Sequence, residues 1–395
     1  MVVGVAPADV GEKSGEPWTG GTTMKIDHCD RIMANGRAMN VSCDLFCTVV
    51  DNFGDAGVCW RLARQLAREQ GWTMRLWIDD VAPLCGLRPG VDAALDRQSI
   101  DGVEIRRWTS PFPAGEPAQV VIEAFACELP ASYVAAMAQQ QQPVWINLEY
   151  LSAENWVAGC HRMASPHPTL PLVKHFFFPG FAKGTGGLIR ERDADFGERS
   201  PGPALAVSLF CYDNPGLPAL LETWATGAEP ITCRVADGLP RRQVAAWLNE
   251  PFAPGMEARR GALALTALPF LPQPEYDRLL GGCDLDFVRG EDSFVRAQWA
   301  QRPFVWQIYP QAGNAHGGKL EAFLALYTAG LDGKARQAVV DFSAAWNGGG
   351  DIAVTWAALR RALPQLAAHA EPWAREIALP GNLAENLAQF CIGRI

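Results

Sequence analysis

The sequence predicts an α/β protein made of two doubly wound halves with a helical C-terminal tail. Three observations predict it. The chain has 395 residues, more than one hydrophobic core usually organises. Short apolar strand signals alternate with helical spacings from Asp44 to Trp306. That alternation is interrupted between Lys183 and Pro203 by a stretch rich in Gly, Pro and charge, which reads as an exposed interdomain connection.

Residues 1–40 lack the continuous apolar segment of a signal peptide and read as a disordered extension, with Met33 or Met39 as alternative starts. The first strand runs from Asp44 to Val50, apolar at most positions as expected of a parallel strand covered on both faces. The loop Asp51-Asn52-Phe53-Gly54-Asp55 then leads into Val58, Leu62 and Leu66, which recur at helical spacing. Further strands are expected at Met74 to Ile78, Val103 to Arg107, Val120 to Ile122 and Val144 to Leu148, with a helix over Ala131 to Gln140. The second series has strands at Leu205 to Phe210, Ile231 to Val235, Ala262 to Leu268, Leu285 to Val288 and Phe304 to Trp306. After Asp341 the pattern is helical, with Ala344, Trp356, Leu359, Leu363 and Leu366 as core positions. The domains are therefore read as an extension over 1–40, a Rossmann-like domain over 41–185, a linker over 186–203 and a second Rossmann-like domain over 204–370. A helix over 371–395 is expected to return toward the first domain.

Apolar residues make up 49% of the chain and charged residues 19%, enough to build cores. A net charge of -9 and a pI near 5.3 disfavour a broad nucleic-acid surface. Eleven cysteines, among them Cys47, Cys59, Cys127 and Cys283, sit at scattered apolar positions and read as buried thiols of a reducing, cytoplasmic compartment. There is no C-x-x-C and no H-E-x-x-H, so a zinc site is not expected, and no apolar run reaches the roughly 18 residues of a membrane span.

Ligands of open α/β sheets bind at the carboxyl ends of strands, which directs attention to two loops. Val288-Arg289-Gly290-Glu291-Asp292-Ser293 follows a strand and opens a helix. Free N–H groups at a helix start, Gly290 and Arg289 suit a diphosphate, while the plainer alternative makes Asp292 or Ser293 a helix cap. In the other loop Asp51 and Asp55 are candidate general bases, the alternatives being a strand-end turn for Asp51 and an N-cap for Asp55. Phe210, Tyr212, Phe270 and Gln273 follow strands of the second half and would gather near Arg289. There a base could stack on a ring while an amide reads its edge, or the aromatics could be simple core. Two D-x-D matches, Asp193-Ala194-Asp195 and Asp284-Leu285-Asp286, lie in the linker and at the amino end of a strand, away from the expected cleft.

The segments Val49 to Asp55, Val121 to Cys127, Asn147 to Glu154 and Val288 to Trp299 resemble the EarP family of protein-arginine rhamnosyltransferases that mature elongation factor P. The similarity runs from about Cys43 to the C-terminus and leaves the first 40 residues unmatched. The resemblance implies a GT-B fold, two Rossmann-like domains facing each other across a cleft, with dTDP-β-L-rhamnose held by the C-terminal domain. It also implies an inverting, metal-independent transfer of L-rhamnose to an arginine of elongation factor P, activating that factor for rescue of stalled ribosomes. No other cofactor, nucleic acid or membrane partner is implied. By position, Asp55 matches the catalytic aspartate, Asp51 a supporting carboxylate, and Glu291 a glutamate needed for activity and donor binding. Asn52, Phe53 and Gly54, in the same loop, are expected to bind substrate. Tyr212, Gln273, Arg289, Gly290, Asp292 and Ser293 match donor contacts, with Phe210 and Phe270 near the thymine. Other readings are a different GT-B sugar transferase or epimerase, or an inactive module that binds elongation factor P.

Overall fold

A computed structural model describes residues 40–395, except Asn52, Ala114, Gln140, Gln141, Ser200, Pro201 and residues 311–314. The extension expected over 1–40 thus lies, but for Asn40, outside the described residues, as does the site candidate Asn52. The first half runs β1 (Ser42–Cys47), α1 (Phe53–Gln70), β2 (Thr73–Ile78), α2 (Ala82–Leu87), β3 (Arg97–Ile100), β4 (Val103–Arg107), β5 (Val120–Ala124), α3 (Ala131–Gln139), β6 (Val144–Leu148), α4 (Val157–Cys160), β7 (Ala164–Pro166) and β8 (Val173–Phe177). The second runs β9 (Leu205–Leu209), α5 (Leu217–Thr226), β10 (Ile231–Val235), α6 (Leu239–Leu248), β11 (Glu257–Arg260), β12 (Leu263–Ala267), α7 (Gln273–Gly281), β13 (Leu285–Arg289), α8 (Asp292–Trp299) and β14 (Phe304–Gln307). Helices α9 (Ala315–Tyr327), α10 (Gly333–Trp346), α11 (Ile352–Ile377) and α12 (Leu383–Ile392) follow.

The first half forms an eight-stranded sheet of order β3-β4-β2-β1-β5-β6-β8-β7, the second a six-stranded sheet of order β11-β12-β10-β9-β13-β14. The central strands are parallel, and β3, β7 and β11 are antiparallel edges. Every expected strand is present, although the first ends at Cys47 and not at Val50, whose N–H turns to the Asp55 carboxylate. Four strands escaped sequence reading: β3, β7 and β11 are short, mostly exposed edges with no apolar run, and β8 carries Lys174 and His175 in its middle.

Alternation along β1 decides which side chains meet which helices. Cys43, Leu45 and Cys47 face a core shared with α1 and α12, while Phe46 faces Trp77, Tyr133 and Met137 on the other side. In each sheet the first strand lies between strands that lead outward in opposite directions, β1 between β2 and β5 and β9 between β10 and β13. This is the switch point, where the loops leaving neighbouring strands diverge and open a crevice. The Asp51–Asp55 loop leaves β1, the Phe210–Tyr212 loop leaves β9, and the Arg289–Asp292 loop leaves β13.

Two expectations need correction. The connection over 186–203 is not simply exposed: Leu188, Ile189 and Glu191 are buried, because the segment threads between the halves and pairs with the C-terminal chain at Asn382. The boundary expected at 370/371 falls inside α11, which continues to Ile377 despite Pro364 and Pro372, held by buried Leu363, Leu366, Trp373 and Ile377. The return to the first half is made by α12, whose Leu383, Ala384, Leu387, Phe390 and Cys391 complete the core around β1 and α1. The ten described cysteines are all free thiols. Among the described residues no helix is long and apolar enough to cross a membrane.

Candidate active site

Asp55 lies in the first turn of α1 and is only 3% exposed. Its Oδ2 accepts from the backbone N–H groups of Val50 (2.9 Å) and Asp51 (2.8 Å), so the carboxylate reaches back over the loop and is not an N-cap. Burial pushes its pKa up, against the pull of those two N–H groups. Asp51 is held from the opposite half, where the Tyr212 hydroxyl donates to its Oδ2 at 2.5 Å. Burial raises Asp51 as well, opposed by the Tyr212 hydrogen bond and Arg289. Gly54 N–H donates to Asp51 O at 2.6 Å and closes the loop.

Glu291 occupies the N-cap position of α8, yet its side chain makes no cap hydrogen bond. Its Oε2 instead accepts from Leu151 N–H of the first half at 3.0 Å. Burial moves its pKa up to about 7, with Leu151 N–H and Lys319 pulling the other way. Gly290 explains why the loop can come so close. Its φ is +61°, and a Cβ there would stand 2.8 Å from both Asp51 Oδ2 and Tyr212 Oη.

Two adjoining spaces meet at Asp51. One is lined by Asp51, Asp55, Tyr150, Gly290, Glu291 and Lys319, bringing the three expected catalytic carboxylates into one pocket with a lysine. The other is walled by Phe53, Phe210, Phe270, Tyr276, Arg289 and Asp292. Phe53 and Phe270 are 4.8 Å apart by centroid, and Phe270 keeps 37% of its surface exposed at the mouth. The Arg289 guanidinium lies between two rings, its Cζ 4.5 Å from the Phe210 centroid and 4.4 Å from that of Tyr212.

The structure gathers the described candidates but assigns several side chains partners the sequence did not suggest. Ser293 Oγ donates to Arg289 O at 2.5 Å and accepts from Arg289 N–H, so it braces the loop. Asp292 accepts from Arg61 Nε at 2.7 Å, and Gln273 Nε2 lies 3.3 Å from Asp292 Oδ2 and 3.4 Å from Gly57 O. Neither Asp292 nor Ser293 caps α8. The donor side was expected within the second half alone, but Asp51, Phe53, Gly54 and Leu87 of the first half also line that cleft, because the halves close against each other there. Tyr150, Lys319 and Arg61 were missed. Their patterns read only as strand end or helix, and the partners they meet are brought alongside by the fold, as Asp292 is to Arg61 across 231 positions.

Among the described residues no group of three or more His, Cys, Asp or Glu is arranged to hold a metal ion. In the D-x-D pairs, Asp193 meets Arg68, Asp195 meets Arg278, Asp284 meets Arg199, and Asp286 is buried against Ser208.

Comparison with known proteins gives a consistent set. A profile of the family described as Elongation-Factor P (EF-P) rhamnosyltransferase EarP matches residues 43–392. Protein-arginine rhamnosyltransferases of Pseudomonas putida and Pseudomonas aeruginosa are 46% and 45% identical to the chain, covering 89% and 88% of it and 99% and 98% of their own lengths. A solved structure described as the structural basis for EarP-mediated arginine glycosylation of translation elongation factor EF-P aligns with TM-score 0.62 at 33% identity, over 90% of this chain and 100% of that one. The calicheamicin glycosyltransferase CalG4 shares the two-sheet GT-B fold with TM-score 0.52 at 13% identity, over 90% of this chain and 99% of its own.

Proposed function

Because the chain belongs to the EarP family of elongation factor P rhamnosyltransferases, we propose that it transfers L-rhamnose from dTDP-β-L-rhamnose to an arginine side chain of elongation factor P. The observation that carries this reading is the meeting of Asp55 and Glu291, from opposite halves, in a pocket that opens beside an aromatic cleft ending at Arg289. The family's partner and product come with it, modified elongation factor P acting at stalled ribosomes.

A guanidinium has a pKa above about 12 and delocalised lone pairs, so it must be bound and oriented before it can attack. Asp55 uses Oδ2 for the loop N–H groups, which leaves Oδ1 to bind the arginine. As the nitrogen forms its bond to the anomeric carbon, Asp55 takes the proton and the bond to the diphosphate oxygen breaks with its electron pair. Attack opposite the leaving group inverts the centre, giving the α-linked product. Arg289 and the uncapped N–H groups at the start of α8 meet the charge on the departing dTDP, so the reading requires no metal. Phe210 and Phe270 flank the space for thymine, and Glu291 is suited to sugar hydroxyls. Asp51, held by Tyr212, supports the loop between donor and acceptor.

The test is to incubate the protein with dTDP-β-L-rhamnose and elongation factor P and to examine the factor by mass spectrometry. One deoxyhexose on an arginine is expected; an unmodified factor overturns the reading.

A further inference from the structure

We propose that Arg61 is a positioning residue that keys the helix bearing Asp55 to the helix at the nucleotide cleft, coupling donor occupancy to the acceptor side. Helix α1 carries Asp55 in its first turn and Arg61 six residues later. Arg61 is only 2% exposed, and its fork meets three carboxylates: Asp292 through Nε (2.7 Å), Glu191 through Nη1 (3.0 Å) and Asp277 through Nη2 (3.2 Å). Arg296 of α8 binds the same Glu191 and Asp277 from the other side. Although burial pushes Glu191 up, Arg61 and Arg296 draw its pKa down to about 2, so Glu191 is ionised between the two guanidinium groups. It spans the first half at Arg61, the connecting segment at Glu191, and the second half at Asp277, Asp292 and Arg296.

Of these groups Asp292 also lines the nucleotide cleft. Its other oxygen faces Gln273, whose amide also reaches Gly57 O on α1. A Cβ on Gly57 would stand 3.1 Å from Asp292 Oδ2 and 3.3 Å from Gln273 Nε2, so the helices meet here with no side chain between them. Buried ion networks add little stability over apolar packing, but they tolerate few geometries. The planar fork of arginine satisfies three carboxylates at once, and lysine presents a compact ammonium that cannot span them.

The kinetic arm rests on the proposed function; an exchange arm does not. Arg61→Lys should lower kcat about tenfold or more while the dTDP dissociation constant stays within about threefold, a split that a loss of stability alone does not produce. In an Asp55→Asn background the further loss should shrink to about twofold or less, since both changes act on the same event. By hydrogen exchange, dTDP should slow residues 57–66 as well as 273–299 in the wild type, and only 273–299 in Arg61→Lys. Arg68→Ala, on the exposed pair with Asp193, should change neither readout. Should Arg61→Lys fail to fold, Asp292→Asn takes its place in the exchange measurement, with the same loss expected over 57–66. Unchanged turnover in Arg61→Lys, or equal slowing of 57–66 by dTDP in wild type and variant, overturns the inference. A wild type that modifies no elongation factor P overturns the proposed function, and the exchange arm still decides the role of Arg61.

Discussion

Glu291 shows how far the chemistry of one side chain depends on where the fold carries it. In the sequence it is a carboxylate beside the expected diphosphate site, but in the structure it faces the first half and is pushed up to about 7. Its raised pKa contributes stability that is complete below the ordinary glutamate value of about 4.3 and is lost as pH rises through about 7. Glu291→Gln should therefore flatten the fall in melting temperature between about pH 4 and 7, and an unchanged slope would contradict the burial argument. If ionised Glu291 binds the donor, wild-type kcat/KM should climb through the same window. Asp55→Asn should cut turnover by roughly 10²–10⁴ with dTDP affinity nearly unchanged; transfer within about threefold of wild type removes Asp55 from the mechanism. Gly290→Ala places a methyl 2.8 Å from Asp51 Oδ2 and Tyr212 Oη at a positive φ, and should lose dTDP binding and transfer together, measured by calorimetry and mass spectrometry. These identities were legible in the sequence. Their partners were not, since Tyr212 and Asp51 are separated by 161 positions.

Among the elements, α12 depends most on tertiary context. It is short and leaves Asn382 to cap its own start, yet it supplies part of the first core after the chain has passed through the whole second half. Leu387 is fully buried there, so Leu387→Ala should cost about 2–5 kcal/mol, read from chemical denaturation. A cost under about 0.5 kcal/mol would mean that α12 does not pack as described. The central strands and α1 were legible because each repeats an apolar pattern over enough residues to outweigh local composition. The buried part of the connection was not. Its charged and glycine-rich composition reads as surface, and Glu191 is buried because two arginines from different halves neutralise it.

At the scale of the whole molecule, the cleft draws walls from both halves, and the ion network through Glu191 ties those halves together. dTDP at about 100 times its dissociation constant should add about 2.7 kcal/mol of stability, shifting one calorimetric transition that covers both halves. A shift confined to one of two resolved transitions would instead locate all the binding in the second half.

The sequence by itself determined the alternation of strands and helices, the division into two sheets and the loops that bear the carboxylates. Those follow from local periodicity and from the rule that parallel strands present their ligands at their carboxyl ends. Only the tertiary structure decided that Glu291 answers to Leu151, Asp51 to Tyr212, and Asp292 to Arg61. Those choices are made by burial, which strips charged groups of water and obliges each to find a partner in whatever element the fold brings alongside.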